Sequence, residues 1–488
     1  MASAEVVEQR IPTREGQYGE RVVAVEPGGV EYIALRERHG RAIDLFWTWT
    51  SPNLEFATVY VGTLGIILFG GSFWAVVAGI VAGTALGSLT HGILSSWGPR
   101  FGVPQMVQGR AGFGYWGNVL PAGLNTFTAA IGWFIVNSVS GAFALMALFG
   151  MPFSLFWLAY LIVVAAQVVV AFFGHNLVHA FERYAFVPLA VIFGLATIFI
   201  LSNSHAVGFN AKAPLAFGGD VGAFMLTTAA AFGYAVGWNP YASDYTRYQR
   251  PDVDRRAVGW WAGVGVFLSC VVLEIAGAGL GTVAGTQWGP NDIPTAQMVH
   301  AMPGLLFQAT LLMIALGAVA ANVLNIYSGA MSFLTLGIRL TLHQRRALVA
   351  VASGVLGLVI GIAFQANVGP GSKYEDFLLV ISYWIAPWLG VVFADYVLRR
   401  GDFGDESIFF SRANNGWAGF AAMLVAGVVS IYFFAAQALY TGPVPLAAPQ
   451  LGDLTFLVGF VLAFVLYVAF HGFRRIATPR SEPVEQVG

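Results

Sequence analysis

Two hydrophobic runs, each long enough to cross a bilayer, are interrupted near mid-span, and few folds accommodate that. The first is entered at about Asp44 and breaks at Thr50-Ser51-Pro52-Asn53. The second begins near Gly219 and breaks between Gly237 and Pro240, within Trp238-Asn239-Pro240-Tyr241-Ala242-Ser243-Asp244-Tyr245-Thr246-Arg247-Tyr248. Proline removes a backbone donor and clashes with the preceding turn, while Gly233 and Gly237 loosen the backbone just upstream. A broken helix at membrane depth is tolerated only where protein buries it or it lines a cavity. Paired interruptions in two halves of a chain point to a transporter's binding site.

The rest of the chain fits that setting. Apolar residues make up 57% of 488 and charged residues 10%, with a mean hydropathy of +0.71, far from a soluble composition. Apolar runs of about 20 residues predict an all-α, polytopic membrane protein of about twelve spans. They lie near 43–70, 72–96, 118–148, 153–173, 184–202, 219–241, 257–284, 304–336, 347–366, 374–398, 416–439 and 453–473. Residues 1–42 read as a polar, mostly disordered tail without the apolar core of a signal peptide. With tails and alternate loops assigned to the cytoplasm, 22 of the 24 Lys and Arg residues fall inside, Lys212 and Lys373 being the exceptions. That asymmetry predicts a multi-pass protein of the plasma (inner) membrane with both termini cytoplasmic. Net charge −1 gives no reason to expect a nucleic-acid partner, and the lone Cys270 reads as packing. No HExxH, CxxC, Walker or Ser/His/Asp pattern is present, so neither an enzyme nor a metal or organic cofactor is expected.

Mid-span polar groups are the candidate machinery. In span one, Ser51 and Asn53 offer donors and acceptors matched to a small heteroaromatic edge. Glu55 costs about 2.5–3.5 kcal/mol near mid-membrane, so it should face the protein interior, protonated or paired. Span two is rich in small residues at packing spacing (Gly79, Gly83, Gly87), and its His91 reads as packed or interfacial. Trp133 and Asn137, four residues apart, set an aromatic plane and an amide on one helical face. Span seven carries a second acid, Glu274. Asn322 and Asn325 in span eight can reach one cavity or serve as helix–helix glue, with Asn325 favoured as ligand. Between spans four and five, Gly174 to Arg183 reads as an amphipathic inner connector whose histidines suggest no chemistry. Asp395 reads as a structural cap or gate partner, and spans eleven and twelve as peripheral additions.

Several motifs in order resemble the nucleobase:cation symporter family 1, in its purine and cytosine permease branch. They are Gly98-Pro99, Gly102, Pro104-Gln105, Arg110 and Phe113-Gly114; Gly174, His179 and Glu182-Arg183; Trp238 with Tyr241 to Tyr248; and Asn325-Ile326-Tyr327-Ser328. The likeness runs from about residue 30 to residue 475. It implies the leucine-transporter fold, with inverted repeats at 43–202 and 203–400, two further spans within 401–475 and a cytoplasmic tail at 476–488. It places a nucleobase site on Ser51, Trp133, Asn137, Trp238 and Asn325, with Tyr234 or Phe232 as alternatives to Trp238; Asn53 and Asn322 stay candidates on their mid-span polarity alone. Pro52, Gly237, Pro240 and Asp244 are the expected gating or structural residues. Sodium-coupled relatives carry hydroxyls where this chain has Val319 and Ala320, which favours a proton as the coupling ion and Glu55 and Glu274 as its carriers. The expected function is import of a purine or pyrimidine base by proton symport. The alternatives are sodium-coupled import of an allantoin-, hydantoin- or vitamin B6-like ring, or a substrate-gated channel or sensor. Oligomeric state is left open.

Overall fold

The computed structural model describes residues 12–14, 19–22, 26, 29–209, 218–289, 292–338, 355, 358–359, 373–404, 406–472 and 476. Among these, regular structure is helical, with only three isolated β-bridges. Nine described helices are long and apolar enough to cross a membrane, and Phe56–Ile67 and Thr455–Phe470 are shorter, largely apolar helices. The expected ninth span, 347–366, lies outside the described residues except at 355, 358 and 359.

Span one is split into α1 (Asp44–Thr50) and α2 (Phe56–Ile67). Ser51–Asn53 forms a 3-10 turn around Pro52, and Glu55 is fully extended (φ −154°, ψ 175°), so the helix axis is cut where the proline predicts. Then follow α3 (Phe73–Ser95), α4 (Val119–Phe149), α5 (Phe156–Phe172) and α6 (His175–Asn203). Span six is α7 (Gly219–Val236), a 3-10 turn at Asn239–Tyr241 and α8 (Ala242–Thr246). The remainder are α9 (Arg255–Leu280), α10 (Gly304–Thr335), α11 (Lys373–Leu398), α12 (Trp417–Phe434) and α13 (Thr455–Phe470).

Two packed groups frame the breaks. In one, α1 and α2, α3, α7 and α9 pack against one another; in the other, α4, α5, α6 and α10 do. Small residues set the first group's spacing. A Cβ at Gly62 would lie 1.6 Å from the Glu274 carbonyl, and one at Gly277 would lie 1.7 Å from that of Val59, so α2 and α9 cross backbone to backbone. Gly79 and Gly83 of α3 likewise admit the Phe224 and Thr228 carbonyls of α7, the close approach that span two's composition predicts. Helix α13 packs mainly on α11 and α12 mainly on α13, with Asp395 of α11 accepting from Arg399 and from Tyr467 of α13.

Two expectations are corrected. The amphipathic connector is the beginning of α6, which starts at His175 rather than near residue 184. Its polar side chains face protein, so apolar counting missed the helix's first turns. The described part of the amino-terminal tail is packed, not disordered. Arg14, Glu26, Tyr32, Ile33, Glu37 and Arg38 are buried, with Arg14 and Glu26 finding partners more than 200 residues away in Tyr248 and Arg247, Glu37 pairing with Arg14, and Arg38 donating to the Ile33 and Pro99 carbonyls.

Candidate substrate site

The polar groups of spans three and eight converge on Asn322. Its Nδ2 donates to the Phe134 carbonyl (2.9 Å) and to Ser138 Oγ (3.0 Å), while its Oδ1 accepts from Asn137 (3.0 Å) and Asn325 (3.1 Å). Ser138 in turn donates to Gln167 of α5 (2.9 Å), and Gln167 donates to the Ala318 carbonyl. Every hydrogen-bonding atom of the Asn322 side chain is thereby committed, which makes it the residue that orients its neighbours. Asn325 keeps a buried carbonyl oxygen, Oδ1, without a partner. An unmet buried acceptor costs about 1–3 kcal/mol, so a donor from a bound molecule would be strongly favoured there.

The aromatic groups come from spans three and six. Trp133 closes a π-helical segment, Thr128–Trp133, whose extra residue in the turn resets the helical face presented beyond it. Its indole stands edge-on to Tyr234 (5.3 Å, 89°) and Phe377 (5.2 Å, 76°). It also lies over the break in span six, since a Cβ at Gly237 would be 3.1 Å from Trp133 Nε1. Trp238 is tied to the other break, donating from Nε1 to Asn53 Oδ1 at 2.8 Å, while Asn53 Nδ2 donates to the Trp49 carbonyl. Ser51, fully buried beside them, has a hydroxyl without a partner. Tyr234 shares a 2.6 Å hydrogen bond with Thr58, which also donates to the Asn53 carbonyl. Phe232 turns the other way, onto Phe456 of α13 (4.7 Å).

The acids occupy separate places. Glu55 follows the break in span one, accepts from Ser140 Oγ at 3.4 Å and leaves Oε1 without a partner. Gly317 of α10 packs on it, where a Cβ would be 2.8 Å from that of Glu55. Glu274 accepts from Thr84 of α3 at 3.1 Å and lies apart from the asparagines. Asp244 accepts from the Gln105 amide (2.9 Å), fixing the Pro104-Gln105 loop beneath α8; Pro240 sits in the 3-10 turn just before it. Val319 and Ala320 lie buried on α10, bringing no side-chain oxygen.

Thr58, Ser138, Gln167 and Phe377 were missed in the sequence. Gln167 was findable as a lone amide in an apolar run, by the reasoning applied to Asn137; the others had no signal beyond ordinary composition. The breaks of spans one and six, Trp133 and the Asn322 cluster thus surround one buried region that offers aromatic faces, amides and hydroxyls.

Comparison with known proteins gives the family and the fold. Purine-cytosine permease fcyB of Emericella nidulans is 26% identical over 466 residues, covering 92% of this chain and 89% of its own. Vitamin B6 transporter TPN1 of Saccharomyces cerevisiae is 26% identical over 410 residues, covering 80% and 69%. Among solved structures, Mhp1, a nucleobase-cation-symport-1 family transporter in a closed conformation with bromovinylhydantoin bound, superposes with a TM-score of 0.68 at 18% identity, covering 90% of this chain and 93% of its own. The architecture is therefore the leucine-transporter fold, with its two broken helices face to face. The model of the permeases for cytosine/purines, uracil, thiamine and allantoin matches residues 32–459, and the chain belongs to that family of membrane transporters.

Proposed function

We propose that this protein imports a purine or pyrimidine nucleobase by proton symport across the plasma (inner) membrane, with the tail side of the bundle facing the cytoplasm. The observation that carries the substrate class is the buried, unmet Asn325 carbonyl set among uncharged amides and indoles. A neutral ring with an N–H on its edge satisfies that oxygen, and burying it there desolvates no charge. Ser51 and Asn137 read further positions on the edge. Trp133 and Trp238 supply the aromatic planes, each contact worth about 0.5–1.5 kcal/mol beyond burial. A wrong ring leaves one of these groups unpaired, which is how such a site selects.

The coupling ion follows from what surrounds the breaks. Val319 and Ala320 bring no hydroxyl to the position where sodium-coupled relatives carry one, while Glu55 stands directly after the break with one oxygen unmet. Glu55 is the preferred proton carrier and Glu274 the second. A thermal-shift panel of cytosine, adenine, guanine, hypoxanthine, allantoin, hydantoin and pyridoxine tests the substrate class. A base present at 100 times its Kd stabilises by about 2.7 kcal/mol. Stabilisation by pyridoxine or a hydantoin alone would replace the nucleobase reading. In proteoliposomes, Glu55→Gln should lose accumulation driven by a proton gradient and retain exchange; accumulation that needs sodium and ignores pH would overturn proton coupling.

A further inference from the structure

Several buried carboxylates lie in or beside the bundle, and most have a donor. Glu26 accepts from Tyr327, Glu55 from Ser140, Glu274 from Thr84, Asp244 from the Gln105 amide and Asp395 from Arg399. Glu182 of α6 is fully buried and neither of its oxygens meets a donor in hydrogen-bond geometry. With only the Ser51 hydroxyl near it, Glu182 is a buried acid whose charge the surrounding protein leaves largely uncompensated, at a cost of several kcal/mol. The polar side chain that approaches it is Ser51, at the break in span one, whose hydroxyl is itself unmet.

A row of imidazoles leads from Glu182 to the tail-side surface. His175, His179 and Glu182 stand at i, i+4 and i+7, on one face of α6. The rings of His175 and His179 are parallel at 5.8 Å, and His39, partly exposed, lies 6.2 Å from His175. His179 Nδ1 is 3.0 Å from Thr48 Oγ1 of α1, so the row also touches the half-helix that ends at the break. Other groups facing it are few. Tyr245 of α8 faces Glu182, Asp44 of α1 and Arg183 influence His179, and His175 meets Tyr245, Tyr248, Tyr327 and the Glu26 carboxylate, to which its amide donates, with Arg14 and Arg247 nearby.

We propose that His175, His179 and Glu182 form the path by which the coupling proton passes between the break in span one and the tail-side solution, with Glu182 as the group that holds it. The inference rests on the proton-symport reading above. It divides the labour: Glu55 lies after the break, Glu182 beside it on the tail side. When the tail side opens, the Glu182 O–H bond breaks and the proton passes to a ring nitrogen of His179. The imidazolium then yields it, by way of His175 and the partly exposed His39, to water on the tail side, and Glu182 remains as a carboxylate until it is reprotonated from the region of the break. Substrate need not touch any of these groups.

The test uses the full chain in proteoliposomes with radiolabelled cytosine, adenine and hypoxanthine as probes. Under an inward proton gradient, the unaltered protein should concentrate at least one base. Glu182→Gln should bind and exchange that base but concentrate it less than one-tenth as well, and its binding should no longer vary with pH. Glu182→Asp should regain accumulation with a displaced pH midpoint, which also decides the matter if the Gln variant misfolds. Glu182→Gln that concentrates base like the unaltered protein, or Glu182→Asp with an unaltered pH profile, overturns the path while leaving symport intact. Accumulation by the unaltered protein that requires sodium and ignores pH overturns proton coupling and this path together.

Discussion

Around Asn322 the buried polar groups are amides, hydroxyls and indoles without formal charge, whereas beneath the amino-terminal tail the same degree of burial is given to Arg14, Glu26, Glu37 and Arg247. Glu26 accepts from Arg14 (3.5 Å), Arg247 (3.4 Å), Tyr327 (3.1 Å), Tyr248 and, through its other oxygen, the His175 amide (3.0 Å). One tail carboxylate therefore ties together the tail-side ends of α6, α8 and α10. The contrast concerns what each region must do. A neutral lattice can leave Asn325 Oδ1 and Ser51 Oγ unmet at moderate cost. In an ionic cluster, by contrast, removing one partner strands a buried charge. Such a cluster is suited to a seal that is either wholly made or wholly broken.

Removing the keystone of the seal should have the largest effect. Glu26→Ala leaves Arg247 buried without its carboxylate, a change of the kind that costs about 3–5 kcal/mol. The expected outcome is a lower unfolding temperature together with an opened tail side. The second part is read from alkylation of a cysteine introduced at Met331, which lies 3.7 Å from Arg247; native Cys270 is buried. A Glu26→Ala protein with the unaltered melting temperature and no gain in labelling would show that the tail is not a seal, and the comparison would collapse.

At the neutral centre the expected effects are smaller and fall on binding. Asn325→Ala removes the unmet carbonyl and should weaken base binding by about 1–3 kcal/mol. Asn322→Ala should do at least as much without touching the ligand, because Asn137 and Asn325 both donate to its Oδ1. If the two act through one lattice, the double variant should lose less than the sum of the single losses. Full additivity, measured by titration calorimetry, would separate Asn322 from the site and leave it as a link between α4 and α10.

How much of this was legible beforehand follows from the kind of signal each feature leaves. The breaks at Pro52 and Pro240 were readable because proline acts locally and its effect does not depend on distant partners. Trp133, Asn137, Asn322 and Asn325 were readable because a polar or amphipathic group in an apolar run needs a reason to be there. The division of roles among the asparagines was not, since it depends on which amide faces which, 185 residues apart. The tail and the start of α6 were misread for the opposite reason. Their composition is that of a solvated segment, and only the folded bundle shows that Arg247, Tyr248 and Tyr327 receive Glu26. Glu182 leaves no such signal as a buried acid, because its polar neighbours resemble a solvated connector where the helix already runs.

The smallest expected effect tests whether the neutral centre is held by its own hydrogen bonds or only by packing. Trp238 donates from Nε1 to Asn53 Oδ1 at 2.8 Å, and Asn53 in turn donates to the Trp49 carbonyl, so one indole N–H couples the break of span six to that of span one. Trp49 also meets Trp238 edge-on at 5.8 Å, which gives packing a competing claim on the same geometry. Trp238→Phe keeps an aromatic face and removes the donor. Loss of one such bond is worth about 0.5–1.5 kcal/mol, and Asn53 Oδ1 would be left buried without a partner. Base binding should therefore weaken by up to about tenfold. Asn53→Ala should weaken it too, and adding Trp238→Phe to Asn53→Ala should change little further, since the acceptor is already gone. Independent losses in the double variant would mean that the indole acts through its aromatic face alone, and that the two broken helices are joined across the site by shape rather than by this bond.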